Sequence, residues 1–152
     1  MNKIKVGDVF EIETAKGKAY FHYMFDDKDI GALIRILPFF HDNTPDNIKE
    51  IVKQKELFFI YFPLKYAVKL KIVNPVSNVP VGLFFRKPKY MRTEHKVRGE
   101  FLGWHIVNTN NLKRTLVSKL SEEEKKLSPW GVWNDTLLKE RLEEGWTLDK
   151  WV

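Results

Sequence analysis

The feature that most constrains this chain's fold is a change of hydrophobic period two thirds of the way along it. Ile4, Val6, Phe10 and Ile12 fall on one face of an extended segment, and Lys5, Val9, Glu11 and Glu13 on the other. Period-two alternation marks a half-buried strand. Ala15-Lys16-Gly17-Lys18 supplies a turn, and residues 19–25 are apolar on both faces, as in a strand covered from both sides. Asp26-Asp27-Lys28-Asp29 is a second turn before a third strand over 30–37. Together these predict an antiparallel meander. Further strands are predicted over 57–62, 66–72, 79–85 and 100–107. Thr44-Pro45-Asp46 supplies a capping hydroxyl, a proline and an acid, and predicts a helix over 45–54. Late in the chain the signals become helical. Ser121-Glu122-Glu123-Glu124 matches a capping box. Asn134 caps a helix over 134–144, with Trp133 and Leu138 as a hydrophobic staple and Gly145 as its end. The expected class is α+β: a strongly bent antiparallel sheet or small SH3-like barrel with C-terminal helices, as a single domain over 1–152.

Charge is distributed unevenly. Residues 84–98 hold six Lys/Arg against one Glu, a net +5 of the chain's formal +6, whereas the remainder has 20 basic and 19 acidic residues. A cationic segment with interleaved aromatics attracts a polyanion or an acidic protein surface. Arg86, Lys87, Lys89, Tyr90, Arg92, Lys96 and Arg98 are therefore the candidate partner-binding residues. The arginines offer bidentate recognition of carboxylate or phosphate, and Tyr90 a stacking face.

Signals for chemistry are sparse. The absence of cysteine excludes disulfides, thiol nucleophiles and thiolate metal sites. His22, His41, His95 and His105 match no metal spacing, and His22 and His105 sit in strand patterns at or near the core. Asp27-Lys28-Asp29-Ile30-Gly31 lacks the closing Glu of a calcium loop, since Pro38 stands there, and reads as a turn. Glu11 and Glu13 read as solvent-facing residues at a strand edge. Residues 129–135 are dense in aromatics and read as structural. No catalytic residue, metal or cofactor is expected. The longest apolar run, residues 57–64, is too short to span a bilayer as a helix, and the first eight residues lack a signal peptide's apolar stretch. A cytoplasmic protein is expected.

Val6-Gly7-Asp8-Val9-Phe10-Glu11-Ile12, followed by Gly17-Lys18-Ala19-Tyr20 and Ile30-Gly31, resembles the opening of bacterial immunity proteins of the family numbered 26. The match covers about the first quarter of the chain. It implies a mainly β, non-catalytic, cofactor-free cytoplasmic protein that binds and neutralises a toxin delivered by neighbouring bacteria. The basic segment is then a toxin-facing surface suited to an acidic face. Two other readings stay open: a nucleic-acid-binding module using residues 86–98, and a small hydrolase whose site the linear sequence does not reveal.

Overall fold

The computed structural model describes residues 3–82 and 86–152. Eight antiparallel strands form two open sheets with a few short helices, an α+β architecture. The first sheet contains β1 (Asp8–Thr14), β2 (Gly17–Asp27), β3 (Gly31–Ile36), β4 (Phe58–Phe62) and β5 (Val73–Asn78) in the order β4-β3-β2-β1-β5. It does not close into a barrel. Register shifts in β1 at Val9/Phe10 and in β2 between Tyr23 and Phe25 are bulges, which bend a strand and sharpen its twist. The β1–β2 turn rests on Gly17, whose φ is +123°. A Cβ there would stand 3.0 Å from the His41 carbonyl oxygen, so only glycine lets the chain pass.

Both faces of this sheet are covered, as the two-sided apolar character of residues 19–25 requires. One face carries Phe10, Ile12, Phe21, Ile34, Ile36, Phe58 and Ile60 against α2 (Leu64–Lys69) and α3 (Asp135–Glu143). The other packs Val9, Tyr20 and Leu37 under α1 (Ile48–Val52). Farther along it, Leu33 and Tyr61 meet Met91 of the second sheet.

That second face also holds the buried polar side chains Glu11, His22 and Arg35. Glu11 is buried, not solvent-facing as expected. Its carboxylate accepts 2.6 Å hydrogen bonds from the Tyr20 and Thr44 hydroxyls and pairs with Lys18 at 3.3 Å. Thr44 is thus drawn away from helix capping. α1 starts later than expected, at Ile48, with no side-chain cap. His22 Nε2 faces the carbonyls of Val79 at 2.7 Å and Gly7 at 3.1 Å. Two acceptors there require the proton on Nε2.

Residues 66–72, expected as a strand, lie mostly in α2. Leu64, Ala67 and Val68 recur at helical spacing and face the core, while Tyr66 and Leu70 are exposed. The alternation Tyr66-Val68-Leu70-Ile72 is overridden once Leu64 joins the pattern. Lys71 ends the helix at φ +60°, with Ile72 N–H reaching the Ala67 carbonyl at 2.9 Å. β5 follows and runs through Pro75, which an edge strand tolerates because one side of it needs no donor. Residues 79–82 are irregular, not strand. The rest of the strand expected over 79–85 lies outside the described residues.

The second sheet has the order β6 (Tyr90–Val97), β7 (Glu100–Asn108) and β8 (Arg114–Val117). Arg98 and Gly99 form the β6–β7 turn at φ +51° and +81°, the pair of positive angles a tight type I′ turn demands. The capping box is present: Ser121 N–H donates to Glu124 at 2.8 Å, and Glu124 N–H to Ser121 at 3.1 Å. It opens only a single 3-10 turn, Glu124–Lys126. Residues 128–133 then run between the two sheets. Arg92 N–H donates to the Ser128 carbonyl at 2.9 Å and Trp130 N–H to the Arg92 carbonyl at 2.7 Å. On the other side Trp133 N–H donates to the Tyr61 carbonyl at 2.9 Å. This strap stitches the β6 edge to the β4 edge. In α3, the Asn134 side chain accepts from Leu137 N–H at 2.8 Å, and Gly145 closes the helix at φ +70°. The aromatic-rich segment supplies the strap and the cap of α3, with Trp133 and Leu138 packed in the same core cluster.

Candidate interaction surface

The basic segment does not form one patch. Its central member, Arg92, is fully buried, which corrects its assignment to a binding surface. Alternation along β6 explains why: the side of the strand bearing Arg92 and Glu94 faces Trp104 and the C-terminal residues, not solvent. Arg92 Nε donates to the Leu127 carbonyl at 2.9 Å. Nη2 donates to Lys125 at 2.9 Å and Leu148 at 2.8 Å, and Nη1 to Trp151. Its guanidinium lies 5.1 Å from the Trp104 ring centre and 4.5 Å from that of Trp151. Burial lowers its pKa to about 10, which leaves it charged at neutral pH. The cation is held by carbonyl dipoles and ring faces, an environment suited to the weakly hydrated, multi-donor guanidinium. No carboxylate pairs with it among the described residues.

The other cations divide between the ends of β6. Seven residue steps separate Tyr90 from Val97, about 23 Å of strand. At the near end, Arg86 and Lys89 are exposed. Lys87 is partly buried; it donates to the Thr109 carbonyl at 3.2 Å and lies over the Phe25 ring. Tyr90 is exposed, with the Lys89 ammonium 5.4 Å from its ring centre. At the far end, Lys96 pairs with Glu94 at 2.8 Å, and Arg98 projects from the turn. Arg86, Lys89 and Arg98 make no ion pair among the described residues.

Exposed apolar side chains accompany these cations. Tyr90, Val97, Phe101, Leu102, Leu112 and Leu116 are between 41% and 56% exposed, all on the second sheet and its turns. That density on one sheet exceeds the scattered apolar exposure normal for a surface. Arg114 and Lys113 extend the positive charge along β8, and residues 110–119 contain no Asp or Glu.

A histidine pair went unread in the sequence. His105 Nε2 and His95 Nδ1 are 3.0 Å apart, with ring centres at 4.5 Å. The Nδ1 of His105 is buried without a partner, so its proton belongs on Nε2, donating to His95. Burial, then His95 and Arg114, hold the His105 pKa below its usual value. A bulge between His95 and Lys96 sets this pairing, and nothing in the linear spacing announces it. No cluster of three or more His, Asp or Glu side chains able to hold a metal occurs among the described residues.

A cleft of about 670 Å³ lies between β4 and the C-terminal segments, lined by Lys55, Glu56, Phe59, Tyr90, Lys125 and Leu148 among others. Its rim mixes both charge signs, with Lys55, Lys125 and Lys126 beside Glu56, Glu122 and Asp149, and includes no histidine. Glu11, the buried carboxylate, is closed in by three donors. Desolvation raises its pKa, but hydrogen bonds from Thr44, Tyr20 and Lys18 outweigh it and leave the value lowered. A carboxylate held this way is a structural acceptor.

No helix among the described residues is long and apolar enough to cross a membrane. No family model, curated protein or solved structure matches the chain.

Proposed function

We propose that this chain acts by binding: its second sheet grips the acidic face of a protein partner. We further propose that the partner is a bacterial toxin neutralised in the cytoplasm, as the resemblance of residues 6–31 to immunity proteins implies. The observation that carries the binding reading is the second sheet itself. It presents six exposed apolar side chains beside unpaired cations, on a framework held by the 128–133 strap and the Arg92 cage. Apolar area supplies affinity, and cations at its rim speed encounter and select the sign of the partner. Nucleic acid fits less well, because Arg92 is withdrawn and the remaining cations form two groups rather than a continuous track.

The test takes as ligand the product of any toxin gene adjacent to this chain's gene. Lys89→Glu with Arg98→Glu slows association about tenfold at low salt, with the difference shrinking as salt rises. Protection of cells falls in parallel, while Lys28→Glu on the opposite sheet changes neither. Retention of DNA or RNA that vanishes in the double variant, with protection intact, replaces this reading with the nucleic-acid one.

A further inference from the structure

Among the described residues, one sheet edge has neither a covering segment nor a proline. The β4 edge takes the strap at Gly131 and Trp133, and the β6 edge takes it at Ser128 and Trp130. β5 carries Pro75, which lacks an N–H. β8 has no such cover: Arg114, Thr115 and Leu116 are exposed, and no third strand pairs with it among the described residues.

The direction of its backbone groups follows from the register. Thr109 N–H donates to the Lys89 carbonyl at 2.8 Å, so odd-numbered residues of β7 point toward β6. Asn108 N–H donates to the Lys113 carbonyl at 2.9 Å, so even-numbered residues point toward β8. His105 pairs with Leu116 and Val107 with Arg114. Leu116 and Arg114 are therefore in the non-hydrogen-bonded positions, and their N–H and C=O groups face outward. The free edge offers two outward donor–acceptor sets about 7 Å apart, the repeat of an extended chain.

Charge selects what can add there. Lys113, Arg114 and Lys119 flank the edge, and residues 110–119 carry no acid. Two acids share a cleft with the Thr115 face, where Glu123 pairs with Lys126 at 3.5 Å and Glu124 accepts from Ser121 N–H. A second copy would set these cations against each other, on a chain already at +6. Lysine and arginine at an edge guard it against its own kind, but that guard depends on sign.

We propose that β8 accepts an extended acidic segment of the partner protein as a fourth strand. This rests on the protein-binding reading and specifies its mode. In the added strand an apolar residue sits opposite Leu116 and a carboxylate beside Arg114 on the same face, with Lys113 and Lys119 adding positive charge along the edge.

The probe is a nine-residue peptide, Thr-Glu-Thr-Val-Thr-Glu-Thr-Glu-Thr, with a control in which lysine replaces every glutamate. At millimolar concentration the acidic peptide shifts the Arg114 and Leu116 amide resonances and slows their hydrogen exchange at least threefold. The lysine peptide does neither. Leu116→Pro removes one outward N–H without breaking a β7–β8 bond, and it abolishes the effect, read at Arg114. Leu116→Thr keeps the N–H and retains affinity within about threefold. Circular dichroism confirms that both variants fold. Absence of shifts at Arg114 and Leu116, equal binding of the lysine peptide, or unchanged binding by Leu116→Pro each overturns strand addition. So does dimerisation of the unliganded chain that Leu116→Pro abolishes. If strand addition fails while Lys89→Glu with Arg98→Glu still impairs toxin binding, only the mode is lost and the protein-binding reading stands.

Discussion

Replacing Arg92 with methionine tests whether the centre of the basic segment holds the fold together. Methionine keeps the unbranched stem and its packing but removes all the side-chain donors. Four carbonyls, of Lys125, Leu127, Leu148 and Trp151, then lose their partner. At about 1 kcal/mol net per hydrogen bond the loss is about 4 kcal/mol. The two indole contacts add about 1 kcal/mol. Removing a desolvated charge returns part of this, because burying an ion is itself costly. A net loss of about 3 kcal/mol is expected. For a chain of this length each kcal/mol lowers Tm by about 2–4 °C, so Arg92→Met melts about 6–12 °C below the parent. Thermal unfolding by circular dichroism measures this. Acrylamide quenching of tryptophan fluorescence reports the C-terminal segment, since Trp151 depends on Arg92 for its backbone bond and ring contact. Arg98→Met, at the exposed turn, stays within about 0.5 kcal/mol of the parent. A Tm for Arg92→Met within 2 °C of the parent, with quenching unchanged, would refute the reasoning; the cage would then be geometry without energetic consequence.

Three further outcomes follow from the buried groups. Burial holds the His22 pKa below its usual 6.5, so below that pH the unfolded chain binds a proton that the folded chain does not. Stability is present above pH 6.5 and declines below it, and urea titrations of His22→Gln show a shallower decline. Glu11, with its lowered pKa, adds stability above the ordinary carboxylate range that is lost as pH falls through its folded value, a loss absent in Glu11→Gln. At Gly103 a Cβ would stand 2.6 Å from the Val117 carbonyl oxygen at φ +140°, whereas at Gly99 nothing lies within 4 Å. Gly103→Ala therefore loosens β8 and accelerates amide exchange there, while Gly99→Ala costs only the left-handed backbone strain, about 1–2 kcal/mol.

The parts of the fold that were legible in the sequence are those set by neighbours along the chain. The β1–β2 hairpin, the Asn134 cap and the Gly145 stop rest on contacts within a few residues, and the alternation of β1 states its own period. Elements set by distant partners were misread. α2 has an alternating pattern that only the core under Leu64 and Ala67 overrides. Thr44 looked like a helix cap, but a buried carboxylate 33 positions earlier takes its hydroxyl. β8 had a signal that went unused: Asn110-Asn111 separates two runs of strand-forming residues, a hairpin pattern. The His95–His105 pair depends on a one-residue bulge that no local spacing encodes.

The charge count failed in an instructive way. A run of cations reads as a surface because each charge alone prefers water. That preference holds only until the chain supplies enough oriented carbonyls to replace water, and the Leu127 and Leu148 turns do so at Arg92. Strand alternation could have warned of it, since Arg92 is on the same side of β6 as Glu94 and opposite Ile106, one face of a hairpin that must cover the C-terminal tryptophans. The segment therefore does two jobs with one residue type. Arg92 draws the C-terminal segments onto the sheet and makes it rigid, and the cations that remain outside decorate a platform whose shape Arg92 fixes. Such an anchor serves an open three-stranded sheet because strands in water gain their stability by packing an apolar face, here onto the C-terminal segments. The burial of Arg92 thus removes one candidate contact residue and supplies the rigidity that the remaining contacts require.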